Sequence, residues 1–160
     1  MKARKISLVV VSAIVFGWLG YEWNLDIKKR QQGYHTAAYL AQGMVLASQA
    51  KVGTEEMWRY SGELPCSNGE FEAFGLELPG VVADKLSVRV DATGCGELTI
   101  RFGEFDGTPA GKIVLQVSEK TASRGFGPPL AWECTSAHYP DIQEYLSACS
   151  FVAGAVAETD

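Results

Sequence analysis

No proline precedes Pro65, although the chain contains six. Nothing in the first part of the sequence therefore forces a helix to break. The sequence also lacks G-x-G-x-x-G, G-K-[ST] and H-E-x-x-H, the signatures of dinucleotide, phosphate-loop and zinc-hydrolase sites. Ser67, Ser87 and Ser136 have no nucleophile elbow around them. No C-x-x-C pair, internal repeat or low-complexity tract occurs. Positive charge is in the minority, with 14 Lys and Arg against 19 Asp and Glu and a formal net charge of −5. Setting aside Lys2, Arg4 and Lys5 makes the remainder more acidic still, which disfavours a nonspecific phosphate-binding surface. Lys28-Lys29-Arg30 is the one local basic cluster singled out, and it reads as a solvated or juxtamembrane group.

What is present begins with a basic head, MKARK, followed by the uncharged run Ile6 to Gly20 and the aromatics Tyr21 and Trp23. Ile6 to Trp23 is about the minimum length for a spanning helix. A cleaved secretory signal needs a small-x-small site after the apolar core, and Gly17 to Trp23 offers none. A buried core helix rarely carries a basic head and an aromatic end. The expectation is an uncleaved signal-anchor. The charge rule orients it only weakly, because Lys28 to Arg30 flank the far side. Cysteines in the body place that body in an oxidising space, and hence the N-terminus inside.

Tyr34 to Pro65 reads as the stretch on which the rest of the chain is organised. Tyr34, Ala38, Ala41, Val45, Ser48 and Val52 follow one another at alternating steps of four and three, one face of an amphipathic helix. Ala37, Leu40, Met44 and Ala47 widen it. That face is expected to pack on the protein's own sheet. Gly33 is the interior weak point, and Ser61-Gly62 with Pro65 beyond is the stop.

Glu63 to Asp84 reads as a connecting region, punctuated by Pro65, Gly69, Gly75, Pro79 and Gly80 and carrying Phe71, Phe74, Leu76 and Leu78 as packing residues. Strands are expected at Lys85 to Val90, Gly96 to Phe102 and Lys112 to Val117, with a short fourth at Ala131 to Thr135 after the Gly125 to Pro129 link. The spacing suits an antiparallel meander with one covered face. Ile142, Tyr145 and Leu146 are inward-facing candidates after the turn at Tyr139-Pro140. Phe151 to Val156 is a small apolar tail. Helix first and sheet afterwards gives an α+β domain.

The candidate chemistry is thin. Cys66, Cys95, Cys134 and Cys149 allow three disulfide pairings. Cys134, His138 and Cys149, with Cys66, Cys95 or His35 as a fourth ligand, form a permissive zinc set, but without finger or ribbon spacing. No metal or cofactor is expected. Glu55-Glu56 and the pair Glu70 and Glu72 read as solvated surface, and Trp58 and Trp132 as core or seam aromatics. No catalytic residues are expected.

The wording of the central stretch then matters. QGMVLASQAKVGTEEMWRYSGELPCSN resembles the helix-to-loop segment of type IV pilins, which has the form SEGMxLASGAKTAVAEYYxxxGxFPxSN. Gly43, Met44, Leu46, Ala47, Ser48, Ala50, Lys51, Glu56, Tyr60, Gly62, Pro65, Ser67 and Asn68 stand in matching places. GELTIRF resembles that family's G-x-ITVTF strand, GKIVLQV its G-x-TLTLTP strand, and WECTSAHYPDIQEYLSAC its W-x-C-x-S…YLPxxC ending. The resemblance covers Tyr34 to Cys149.

The resemblance implies a long helix, membrane-spanning in its first half, packed on a four-stranded antiparallel meander. It divides the chain into a head and anchor at 1–23 and a periplasmic domain at 24–160, with helix to about 61, sheet at 85–135 and a disulfide-closed loop at 134–149. It pairs Cys134 with Cys149, and with that pairing Cys66 goes to Cys95. It also implies an interaction protein of a type IV pilus system, seated in the inner membrane, whose partners are pilin subunits or assembly proteins. A pilin-fold receptor for DNA, a surface or a phage is the alternative. The chain departs from the family where processing occurs: Ile6 stands at the glycine before the cleavage site and Val11 at the glutamate position. These departures point to an assembly modulator or divergent minor pilin rather than an ordinary fibre subunit.

Overall fold

A computed structural model describes residues 2–83, 86–118 and 130–153, with side chains from Tyr21 onward apart from that of Ala83. Helix α1 spans Lys2–Ser61 and includes Gly33. The chain divides into two compact units, Met1–His35 and Thr36–Asp160, and the second holds every other element. After α1 come α2 (Asn68–Ala73), β1 (Gly80–Ala83), β2 (Leu86–Gly94), β3 (Glu97–Phe102), β4 (Gly111–Val117), β5 (Trp132–Ser136), α3 (Ile142–Tyr145) and β6 (Cys149–Phe151).

The helix stops where its backbone can turn. Gly62 takes φ 76°, and its N–H donates to the Trp58 carbonyl at 2.8 Å, satisfying an end carbonyl with a left-handed residue that carries no Cβ. Pro65 follows at once.

The fold is α+β, but the sheet is not a four-stranded antiparallel meander. It has six strands in the order β1-β2-β3-β4-β5-β6, antiparallel from β1 to β5, with β6 parallel to β5. Two short strands account for the difference. β1 lies in the region expected to connect. Its Val81 and Val82 oppose Val88 and Ser87, and the neighbouring Pro79 carbonyl accepts from the Val90 N–H at 3.0 Å. That pairing covers backbone groups that would otherwise line a bare β2 edge. β6 is three residues long, too short to show an alternation. It runs beside β5 in the register Cys134↔Cys149, the same two residues that a disulfide joins. The start of the first expected strand at Lys85, the Gly125 to Pro129 link and the tail from 154 onward lie outside the described residues.

Alternation in β2 to β4 sends one set of side chains inward. Val88, Val90, Leu98, Ile100, Phe102, Ile113 and Leu115 are buried with Tyr39, Leu40, Ala47, Ala50 and Met57 of α1. Full burial of side chains of this size contributes about 1.5–3 kcal/mol each. The expected connecting region contributes α2, whose Phe71 is buried in the same core, and Ile142 of α3 closes its far end. A smaller cluster of Trp58, Val117 and Leu130 sits at the end of α1. Disulfides join Cys66 to Cys95 and Cys134 to Cys149, across 29 and 15 residues of sequence. These are the pairs the resemblance implies, and each closed loop contributes about 3 kcal/mol in the chain-entropy account. The first staples the loop after α1 to the β2–β3 turn, where the Gly96 N–H donates to the Pro65 carbonyl at 2.9 Å.

Candidate functional site

Helix α1 presents two unlike faces within the Thr36–Asp160 unit. The face against the sheet carries Tyr39, Leu40, Gly43, Ala47, Ala50, Gly53, Thr54, Met57 and Trp58, all buried. Small residues permit the close approach. A Cβ at Gly43 would collide with the Phe102 ring, and one at Gly53 would stand 3.0 Å from Leu76. Tyr39, one turn before Gly43, meets the same Phe102 ring. Its ring packs edge-on to Phe102 at 5.3 Å. Its hydroxyl proton is shared between the carbonyls of Ser87 at 2.8 Å and Gly103 at 3.0 Å. Burial raises the Tyr39 pKa, and those two backbone bonds work against the shift.

The other face is the one that the alternating four-and-three spacing marks. Ala38, Ala41, Val45, Ser48 and Val52 are all exposed, Val45 at 63% and Val52 at 57%. Tyr34, at the end of the Met1–His35 unit, is exposed as well. The expectation that this face packs on the protein's own sheet therefore holds for its widening residues Leu40 and Ala47, which are buried, and fails for the stripe itself. The physical reason is that both faces offer small residues, while the buried one adds Tyr39, Leu40, Met57 and Trp58. The sheet and the segment after α2 take the face whose Gly43 lies opposite Phe102, whose Gly53 lies opposite Leu76 and whose Tyr39 reaches two carbonyls. Periodicity identifies an apolar stripe but not its occupant.

Charge is the signal that the spacing overlooks. From Gln31 to Ala50 the sequence contains no Asp, Glu, Lys or Arg. A helix turned half toward water ordinarily carries charge on that half. Here the exposed surface between positions 38 and 52 is Ala, Gln, Val and Ser until Lys51. Depletion of charge with retained apolar area is the composition of an interface centre. A heptad-like stripe with Val45 and Val52 at one core position and Ala41 and Ser48 at the other suits a second helix at close range.

The stripe has a defined border. Lys51 lies over the Trp132 ring at 5.4 Å, a cation–π contact, and burial lowers the Lys51 pKa while Glu55 opposes the shift. On the other flank a groove of about 190 Å³ runs between α1 and the loop after α2, lined among others by Val52, Gly53, Phe71, Leu76 and Leu78. Tyr60 and Phe74 pack edge-to-face near the end of the helix at 5.6 Å, exposed at 81% and 40%.

The other residues weighed from the sequence fall elsewhere. All four cysteines are in disulfides, so the Cys134–His138–Cys149 set offers no thiolate to zinc. Among the described residues no group of His, Cys, Asp and Glu could hold a metal ion. Glu55 pairs with Arg59 at 3.7 Å, and Glu70 accepts the Cys66 N–H at 2.7 Å. Glu56 and Glu72 are exposed. Trp58 is buried, and Trp132 is half-buried at the seam with Lys51. Ser136 is buried, where its hydroxyl donates to the Lys112 carbonyl at 2.8 Å.

In the Met1–His35 unit, Tyr21 and Trp23 are exposed at 63% and 73%, and Arg30 pairs with Asp26 at 3.2 Å. Among the described residues no helix is long and apolar enough to cross a membrane. The side chains of the expected anchor from Ile6 to Gly20 lie outside them. No family model matches the chain, and no curated protein matches it.

Proposed function

We propose that this is a pilin-like interaction protein of a type IV pilus system. It is held in the inner membrane by its N-terminal apolar run with the disulfide-bonded domain in the periplasm, and it acts through the exposed face of α1. The observation that carries the reading is the uncharged stripe Ala38, Ala41, Val45, Ser48 and Val52, left in water by a helix whose opposite face is already used by the sheet. An apolar face held in water is stabilised when another helix covers it. Three further observations support the reading: the pilin-like wording from Gly43 to Asn68, the order of helix, loop, sheet and disulfide-closed end, and exposed Tyr21 and Trp23 at the point where an interfacial aromatic belt would lie. Two disulfides suit an oxidising compartment. With Ile6 and Val11 in place of the family's processing glycine and its glutamate, the protein modulates assembly or joins the fibre as a minor component. It lacks the charge pair by which ordinary subunits register on one another.

The test is site-specific photocrosslinking in cells. A photoreactive residue at Val45 or Val52 is expected to capture a pilin subunit, and one at buried Leu40 to capture nothing. Val45→Glu is expected to abolish the crosslink and reduce surface pili. Piliation unchanged by Val45→Glu, together with no crosslink from either exposed position, would overturn the reading.

A further inference from the structure

The sheet's outer face carries an arrangement unrelated to the helix stripe. In the observed register Arg89 lies directly opposite Arg101, and Arg101 directly opposite Lys112. Three cations thus stand in one row across β2, β3 and β4, spanning about 10 Å at the usual strand spacing. Like charges placed directly opposite one another destabilise a sheet, and the chain as a whole is acidic. Such a row needs a compensating anion.

Asp91 supplies part of it by direct contact, and Glu72 and Glu77 line the same recess as Arg89 and Asp91, with no ion pair to the row among the described residues. Asp91, next along the same face and only 9% exposed, meets Arg89 Nε at 2.8 Å and Arg101 Nε at 3.2 Å. It is itself held in place. Asn68 donates through Nδ2 to Asp91 Oδ1 at 3.1 Å, while Asn68 Oδ1 accepts the Ala92 N–H at 2.6 Å. The start of α2 therefore fixes the carboxylate, and the carboxylate fixes two guanidinium groups side by side. Both pairs are made through Nε, so the terminal nitrogens are not the atoms that close them. Three basic side chains carry far more N–H donors than one carboxylate has lone pairs, and Asn68 already takes one of those. Arg89 and Arg101 remain exposed at 67% and 58% of their side chains. The flank of the row is narrow: Gly80 lies opposite Arg89, and Gly103 packs on Ser87.

We propose that Arg89, Arg101 and Lys112 form a binding site for a single tetrahedral oxyanion, a phosphate or sulfate group, with Asp91 as a resident carboxylate that partly neutralises the row and competes with the bound anion. Paired guanidinium forks match such an anion's geometry, and Lys112 adds a point charge. The anion is a discrete group rather than a polymer. Two registers along the same face, Glu97 lies opposite Gln116 and Gln116 opposite Glu133, so a long polyanion following the strands would meet carboxylates.

The experiment measures binding of inorganic phosphate to the full chain, by the rise in its unfolding midpoint over sodium chloride of equal ionic strength. Sulfate is expected to act like phosphate. Arg101→Gln is expected to weaken binding roughly tenfold, and so is Lys112→Gln, which leaves the Asp91 pairs in place and guards against simple misfolding. Arg59→Gln, a charge-matched change on α1, is expected to bind as the parent does. Asp91→Asn separates a binding role from a structural one. It is expected to be less stable without phosphate but to bind phosphate several-fold more tightly, because the anion replaces the missing carboxylate. Equal weakening by Arg59→Gln, or no gain in Asp91→Asn, would overturn the site. A short single-stranded oligonucleotide that binds more tightly than phosphate and with a steep salt dependence would overturn the discrete-anion assignment.

Discussion

The two faces of α1 between Ala38 and Trp58 share a run of small, uncharged residues and have opposite fates. Inward lie Leu40, Gly43, Ala47, Ala50 and Thr54; outward lie Ala38, Ala41, Val45, Ser48 and Val52. Both carry small residues and are nearly free of charge, although the inner face also holds Tyr39, Met57 and Trp58. The difference is shape. On the inner face, absent side chains at Gly43 and Gly53 make room for Phe102 and Leu76, and each gap is filled by a named partner. On the outer face the small residues make room for nothing within the domain. A small-residue surface therefore means close packing only when its counterpart is known, and here one counterpart lies inside the chain while the other is proposed to lie outside it.

The strongest way to break this contrast is truncation on each face. Leu40→Ala is expected to cost 2–5 kcal/mol, as deletion of a fully buried leucine does. Val45→Ala is expected to change stability by less than about 0.5 kcal/mol. Denaturant unfolding of the domain measures both, and equal effects would mean that the faces are not distinct. A smaller effect is expected from Gly43→Ala. The added methyl meets the Phe102 ring, so overpacking of about 1–3 kcal/mol opposes the gain of about 1 kcal/mol in helix propensity. Ala41→Gly on the outer face is expected to lose that propensity term alone.

The smallest effect concerns pH, and it sharpens the inner side. Burial raises the pKa of both Tyr39 and Tyr139, and for Tyr139 the neighbouring Tyr39 adds to the shift. A raised folded-state pKa means that the stability these groups contribute is complete below about pH 10, the ordinary tyrosine value. Above it the unfolded chain sheds protons that the folded chain keeps, so stability falls as pH rises toward the folded pKa. The double variant Tyr39→Phe/Tyr139→Phe is expected to begin less stable and to flatten this decline, as followed by thermal unfolding between pH 9 and 11. A decline as steep as the parent's would place its source elsewhere.

Much of the architecture was legible in the residues. The proline-free run, the Ser61-Gly62 stop and the alternation in Lys85 to Val90, Gly96 to Phe102 and Lys112 to Val117 each follow from local chemistry, because a helix boundary or a half-buried strand is written within a few neighbouring positions, whereas the extension of β2 from Asp91 to Gly94 reads in sequence as a turn. β1 and β6 were not legible. They are short, and they become strands by pairing with an edge that exists only in the folded sheet. The outer stripe was found by its spacing and misassigned by the same spacing. The charge gap from Gln31 to Ala50 was in plain view, and the proposed interface rests on it. The row Arg89, Arg101 and Lys112 has no signature at all in sequence order, since register alone brings the three together.

By itself, then, the sequence determined that a long helix precedes a sheet, where the helix ends, and which strand residues alternate. Those are properties of backbone dihedrals and of side chains a few positions apart. Only the tertiary structure decided which face of α1 the sheet takes, how two further strands complete that sheet, and which cations share a row. Each of these depends on shape and register between segments far apart in the chain, and no local preference carries that information.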